Sequence, residues 1–206
     1  MKWTLHQQTR VYDGHFKVDK LQLSHDKFAG GSCDYVQREL VHRANTVAVL
    51  PYDPVQDKVI IIEQFRVGAI HLTTPWLQEI VAGLQEQDED PVHTAARECL
   101  EETGCQVMEL MPISQFYTSP GGLAEWVQLY VARVCVDDHK AYAGLQQESE
   151  DIRVCAVELD DIPELLAKGK ICSAIAIISL QWLLANKQSL QQCWMATAGS
   201  PDQRLK

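Results

Sequence analysis

Short apolar strands mixed irregularly with capped helices predict an α+β fold: a mixed β-sheet sandwiched between helices, with a small N-terminal antiparallel β-subdomain. Three observations carry this. Residues 16–24, FKVDKLQLS, and 34–42, DYVQRELVH, alternate apolar and polar at the period of a strand. TVAVLPYD and KVIIIEQF are nearly continuous apolar runs, as strands covered on both faces are. The helical segments are few and do not alternate with strands as βαβ units would. A chain of 206 residues with 46% hydrophobic and 22% charged residues can bury a full core. That length suits one domain with a small companion.

The elements follow in order. Residues 1–43 form a hairpin or meander, turning in DKFAGGS at Gly30–Gly31. TVAVLPYD and KVIIIEQF are two strands joined by a turn at Asp53–Pro54. Residues 76–82 read as one further strand. Asp90 is a helix N-cap with Pro91 in the first turn. The helix runs to about Thr103, where Gly104 stops it. Residues 111–136 hold two strands around SPGG, and VCAVEL is the last strand. PELLAKGK and SAIAIISLQWLLANK have helical period, and 196–206 form a polar, flexible tail. The expected organisation is therefore a β-subdomain over 1–43, a main domain over 44–195, and that tail.

A net charge of −10 argues against nucleic acid, which calls for a basic face. It leaves a phosphate substrate open, because a divalent cation reverses the local sign. No segment is long and apolar enough for a membrane span, and MKWTLHQQTR lacks a signal-peptide pattern. A cytoplasmic protein is expected. The seven cysteines form no CxxC pair and read as reduced, buried, small hydrophobes without zinc.

RECLEETG, residues 97–104, crowds Glu98, Glu101 and Glu102 onto the helix that starts at Pro91. At about 100° per residue, Val92, Ala95, Ala96 and Cys99 are expected to face the core, with the three glutamates opposite. A solvated acidic face would explain them. However, Gly83, Glu89, Arg97, Glu98, Glu101, Glu102 and Gly104 together fill every strict position of G-x5-E-x7-R-E-U-x-E-E-x-G-U, where U is apolar. This is the Nudix box, and the chain resembles the Nudix hydrolases. Cys99 and Cys105 stand at its apolar positions. Asp88 replaces a common glycine and should adopt the left-handed conformation.

Carboxylates on one helical face make a hard-oxygen site for Mg²⁺, or alternatively Mn²⁺. The resemblance adds the Ala82 carbonyl as a further ligand and has Arg97 hold a box glutamate. VIIIEQFRVGA, PWLQEIVAG, SPGGLAE, ESEDIRV and GKICSAIAIISLQWL are similar to bacterial ADP-ribose pyrophosphatases. That resemblance implies hydrolysis of ADP-ribose to AMP and ribose 5-phosphate by a homodimer. It places Ser119, Gly121, Gly122 and Glu125 near substrate or metal, and Arg66 on a phosphate. It puts Arg38 and Glu39 of one copy near the adenine of the other. The loop ESED supplies Glu148 as general base and Glu150 near the metal. Taken alone, Arg66 could instead form a surface salt bridge with Glu63 or another acid, and Phe65, Trp76, Phe116 and Tyr117 could stack on a base but more commonly pack in a core. A hydrolase for another nucleoside diphosphate sugar, such as GDP-mannose, and a non-catalytic ligand sensor are the rival readings. The intact carboxylates speak against the sensor.

Overall fold

The computed structural model describes residues 1–198 and divides the chain into two compact units. The first comprises Met1–Thr46 and Gln115–Val127. Its sheet runs β1 (Trp3–Asp13), β2 (Lys17–Asp26), β3 (Ser32–His42), β9 (Leu123–Ala124). β1, β2 and β3 form an antiparallel meander. β9 adds to β3 in parallel, pairing Val41 with Leu123. The sequence reading, which ended this sheet near residue 43, did not anticipate the parallel strand. Asp19 is buried at the centre of β2 and ties the meander together. Its carboxylate accepts from Gln8 at 2.5 Å, from the Arg10 guanidinium, and lies 2.7 Å from His42 Nε2. These donors, Arg10 foremost, hold the acid well below its usual range.

The second unit comprises Val47–Ser114 and Gln128–Lys206. An eight-stranded sheet runs β11 (Tyr142–Ala143), β12 (Ile152–Glu158), β5 (Lys58–Phe65), β4 (Thr46–Asp53), β10 (Trp126–Arg133), β8 (Glu109–Tyr117). β6 (Trp76–Glu79) adds to β5 and β7 (Val81–Leu84) to β4. The single strand expected over 76–82 is thus two strands. Ile80, buried between them, marks where the chain leaves β5 for β4. β4 is buried along its whole length, as its unbroken apolar run requires.

Helix α1 (Pro91–Thr103) is capped as the sequence dictates. Asp90 accepts from the Val92 N–H at 2.8 Å, and Gly104 ends the helix at φ 81°. Asp88 does adopt the left-handed conformation, at φ 63°. The buried residues of α1 are Thr94, Ala95, Cys99, Glu102 and Thr103, whereas Val92 and Ala96 are exposed. The expected wheel therefore needs correction: Glu102 lies on the buried stripe. It stands seven positions after Ala95, so it points within about 20° of the same direction. Ala95 and Cys99 join Ile60, Ile62, Val81 and Val154 in the core cluster on this face of the sheet.

Helices α2 (Ile162–Ala167) and α3 (Ala174–Ala198) complete the unit. α3 is anchored by Gln191, which donates to Tyr52 Oη at 2.8 Å, and by Trp194 stacked on Tyr52. The helix continues through 196–198, the start of the expected tail; residues 199–206 lie outside the described residues. No described helix is long and apolar enough to cross a membrane.

None of the seven cysteines is in a disulfide bond. Cys99 and Cys105 are buried, but Cys172 and Cys193 are exposed, against the expectation of burial throughout. Burial pushes the Cys99 thiol up to about 12, so it packs as a neutral hydrophobe. Cys99→Val should therefore fold and cost less than about 1.5 kcal/mol in chemical denaturation. A larger loss, or loss of substrate turnover, would show that the thiol does more than pack.

Candidate active site

The box glutamates occupy three different environments within one helical turn. Glu102 is only 2% exposed and accepts from the Ala82 N–H in β7 at 3.1 Å. Burial raises its acid well above the ordinary range, and that amide only partly offsets it. Glu98 is also raised, chiefly by burial, against the pull of Arg97. Glu101 is the most accessible of the three. Gly83 makes room for this packing: a Cβ there would lie 1.8 Å from the Glu98 carboxylate. That crowding gives the first strict glycine of the box a steric reason.

Arg97 organises the acids. Its Nε and Nη2 donate to the two oxygens of Glu89 at 3.0 and 3.1 Å, a bidentate pair. Its Nη1 reaches Glu98 at 2.8 Å and Glu101 at 3.0 Å. Hydrogen bonds from Arg97 lower Glu89 from 4.5 to about 2. A carboxylate lowered on folding adds stability above its ordinary value, and that stability is lost as pH falls through the folded value. Wild-type protein should thus lose stability between pH 4.5 and about 2, and Glu89→Gln should flatten this part of the curve. Thermal melts across that range test it; parallel curves for the two proteins would exclude Glu89 as a source of the acid sensitivity.

Arg66 follows β5, and its Nε donates to Glu79 in β6 at 2.6 Å. Of the acids the alternative pairing left open, the partner is Glu79 and not Glu63, which takes Arg153 from the neighbouring strand β12. Alternation explains this: Glu63 and the strand-end Arg66 do not share a face, whereas Glu63 and Arg153 are cross-strand partners. Sequence reading missed Glu79. The signal was available in the antiparallel return of the chain from β5 to β6. The charge of Arg66 also favours ionised Glu102, and the charge of Glu150 opposes ionisation of both Glu98 and Glu102. Arg66 and Glu150 thus act on the box acids within this unit.

Glu150 closes a short loop. Its N–H donates to the Leu145 carbonyl at 3.2 Å, and its carboxylate accepts from the Leu145 N–H at 3.4 Å. Gln146–Glu148 form a 3-10 turn, and Ser149 follows in the left-handed conformation at φ 57°. The side chain of Glu148 lies outside the described residues. Gly144, at φ 98°, packs against Glu150, where a Cβ would stand 2.9 Å from the Glu150 Cβ.

The other sequence-selected residues, Phe65 and Trp76 apart, lie in the first unit. Glu125 is 5% exposed and pairs with Arg43 at 3.0 Å. Its carboxylate also accepts from the Thr46 and Thr118 hydroxyls at 3.1 and 2.7 Å. Arg43, Thr46 and Thr118 were not singled out from sequence, since residues so far apart along the chain meet only after folding. In SPGG, the Ser119 carbonyl accepts from the Gly122 and Leu123 N–H groups at 3.3 and 3.0 Å. The Gly122 carbonyl accepts from Val41 at 2.8 Å, which seats the turn on β3. Gly121 has open space around it. Arg38 and Glu39 are exposed on β3, and Arg38 donates to its neighbour's carbonyl, Gln37 O, at 2.7 Å. Phe65, Trp76 and Tyr117 are at least half exposed, which corrects their expected place in a core.

The chain matches the NUDIX domain over residues 42–174, well over half its length. It belongs to the Nudix family. An ADP-ribose pyrophosphatase of Haemophilus influenzae is 40% identical over 188 residues, covering 89% of this chain and 87% of the relative. A GDP-mannose pyrophosphatase of Enterobacter sp. is 35% identical over 149 residues, covering 71% of this chain and 77% of that one. A crystal structure of an ADP compounds hydrolase superposes with a TM-score of 0.72 at 21% identity, covering 92% of this chain and 96% of that one. At that identity the superposition establishes the Nudix fold alone.

Among the described residues no three His, Cys, Asp or Glu side chains converge into a ready-made metal cluster. Arg97 draws Glu98 and Glu101 toward itself instead. The donor set nevertheless fits a hard divalent cation. Glu98 is partly buried and Glu102 buried, burial disfavours the ionised form of each, and a nearby double positive charge would relieve both.

Proposed function

We propose that this Nudix enzyme hydrolyses the diphosphate bond of ADP-ribose to AMP and ribose 5-phosphate. The observation that carries this reading is the complete box folded as one unit. Gly83 accommodates Glu98, Ala82 fixes Glu102, and Arg97 braces Glu98 and Glu101. The 40% identity to an ADP-ribose pyrophosphatase across most of both chains supports the substrate. The GDP-mannose relative matches a shorter part of this chain at lower identity, so GDP-mannose is the second substrate to test.

In this reading Glu98, Glu101 and Glu102, with the Ala82 carbonyl, hold Mg²⁺ or Mn²⁺. When held there, such a cation would supply charge neutralisation for the diphosphate and orientation for the attacking water. Arg97 keeps the carboxylates in place through its three acidic partners. Arg66, already oriented by Glu79, offers its remaining donors to a phosphate oxygen. The loop 144–151 brings Glu148 in as general base, with Glu150 beside the metal site. Ser119, Gly121 and Gly122 form a turn near the substrate, and Glu125 holds that turn through Thr118. A cytoplasmic location agrees with seven cysteines that form no disulfide.

The deciding experiment is a panel of nucleoside diphosphate compounds with Mg²⁺, reading phosphate released by a coupled phosphatase. ADP-ribose should give the highest kcat/KM. A clear preference for GDP-mannose would replace the substrate, and no turnover of any compound would leave the sensor reading.

We further propose a homodimer in which Arg38 and Glu39 of one copy contact the adenine bound by the other. Strand β1 is exposed along its whole length, Trp3 and Tyr12 included, which gives this small sheet apolar surface for a second copy to cover. Arg38→Ala should raise KM for ADP-ribose more than it lowers kcat, as loss of uniform binding does. A fully active monomer in analytical ultracentrifugation would exclude the shared site.

A further inference from the structure

A cavity of about 350 Å³ opens in the second unit, lined by Glu63, Thr74, Trp76, Tyr142, Asp151 and Arg153. Its place follows from strand alternation. Ile60, Ile62, Ile152 and Val154 pack with Ala95 and Cys99 of α1. Arg153 lies between Ile152 and Val154, Glu63 directly follows Ile62, and the two are cross-strand partners, so they point to the other face. The cavity is therefore on the side of the sheet turned away from the box helix.

Three features make it a binding site in form. Its floor is the Glu63–Arg153 ion pair. Trp76 and Tyr142 offer aromatic surface that is 51% and 71% exposed, and Trp76 is steadied edge-on by Phe65 at 5.5 Å. Asp151 and Thr74 add a carboxylate and a hydroxyl. The volume lies at the small end of ordinary ligand pockets. Two carboxylates against one guanidinium leave it net negative, which disfavours a phosphate. Both carboxylates accept only, so a good ligand brings several donors. A sugar ring does this with its hydroxyls, and its C–H faces suit aromatic rings. Adenine presents only its amino group as a donor, beside three ring-nitrogen acceptors.

The cavity also touches both ends of the loop proposed to carry the base. Tyr142 and Arg153 are paired across β11 and β12, and Ala143 pairs with Ile152, so these strands enclose residues 144–151. Asp151 directly follows Glu150. We infer that this cavity is a second ligand site, that it takes a neutral sugar ring, and that an occupant bridging Tyr142 to Asp151 and Arg153 restrains the loop 144–151. The assignment of the loop to catalysis rests on the proposed function, but binding itself does not.

D-ribose titrated into the full chain tests the site, followed by tryptophan emission and by hydrogen exchange of residues 144–151. A saturable change is expected, with half-saturation on the order of 1 mM for so small a ligand. Trp76→Phe should remove the emission change, and Asp151→Asn should weaken binding several-fold. Exchange in the loop should slow when ribose is bound. Ribose 5-phosphate should bind at least roughly tenfold more weakly, because its phosphate meets the two carboxylates. Glu102→Gln, which removes a box acid, should leave ribose binding intact. The inference is overturned by any of four results: no saturable response, equal binding of ribose 5-phosphate, loss of binding in Glu102→Gln, or loss of binding as the protein dimerises. The last would mean that a second copy covers the cavity. Because none of these readouts uses hydrolysis, failure here is distinct from failure of the proposed activity.

Discussion

Glu102→Gln is expected to lower kcat/KM for ADP-ribose by at least ~100-fold while the protein stays folded. Much of the barrier reduction in such chemistry comes from charge stabilisation by a bound cation, and this variant removes a carboxylate proposed to hold that cation. The structure adds a thermodynamic signature. Glu102 is buried, and burial disfavours its ionised form. Glutamine keeps the shape and can still accept from the Ala82 N–H, but carries no charge to desolvate. Without divalent cation the variant should melt at or above the wild-type temperature. With saturating Mg²⁺ the wild type should gain stability and the variant should gain less. A variant with more than half of wild-type turnover at saturating Mg²⁺ would remove Glu102 from the ligand set.

The loop glutamates should separate by kinetics. A carboxylate bound to metal has its lone pairs engaged, so the base must come from outside the box. Position in the family favours Glu148, and general-base catalysis contributes about two to four orders of magnitude. Glu148→Gln should therefore cut kcat by that amount with little change in KM, since glutamine still permits the loop to close. Glu150 behaves differently in the folded unit. Its charge opposes ionisation of Glu98 and Glu102, and its carboxylate is tied back to the Leu145 N–H. Those relations suit a group beside the proposed metal site. Glu150→Gln should be the milder change and partly recover at higher Mg²⁺. If Glu150→Gln is the more damaging variant and Mg²⁺ does not rescue it, the two roles are exchanged.

Local signals in the chain were sufficient wherever the chemistry is local. The Asp90 cap, Pro91, the Gly104 stop and the left-handed Asp88 follow from the backbone preferences of single residues, and each is found in place. The strands of the core follow from apolar runs that only a sheet covered on both sides can hide. The spacing of the box determined the family, because acids, arginine and glycines must recur on one helix and its approach to build such a site. Tertiary structure decided what depends on residues distant in sequence. It turned Glu102 inward beneath Ala82, made Glu79 rather than Glu63 the partner of Arg66, and split 76–82 between two neighbouring strands. It added β9 to the N-terminal meander and surrounded Glu125 with Arg43, Thr46 and Thr118. Helical and strand periods specify which side chains share a face. Which face is buried, and which charge meets which, is settled only when the elements pack, because desolvation and pairing energies depend on neighbours that the linear sequence holds far apart.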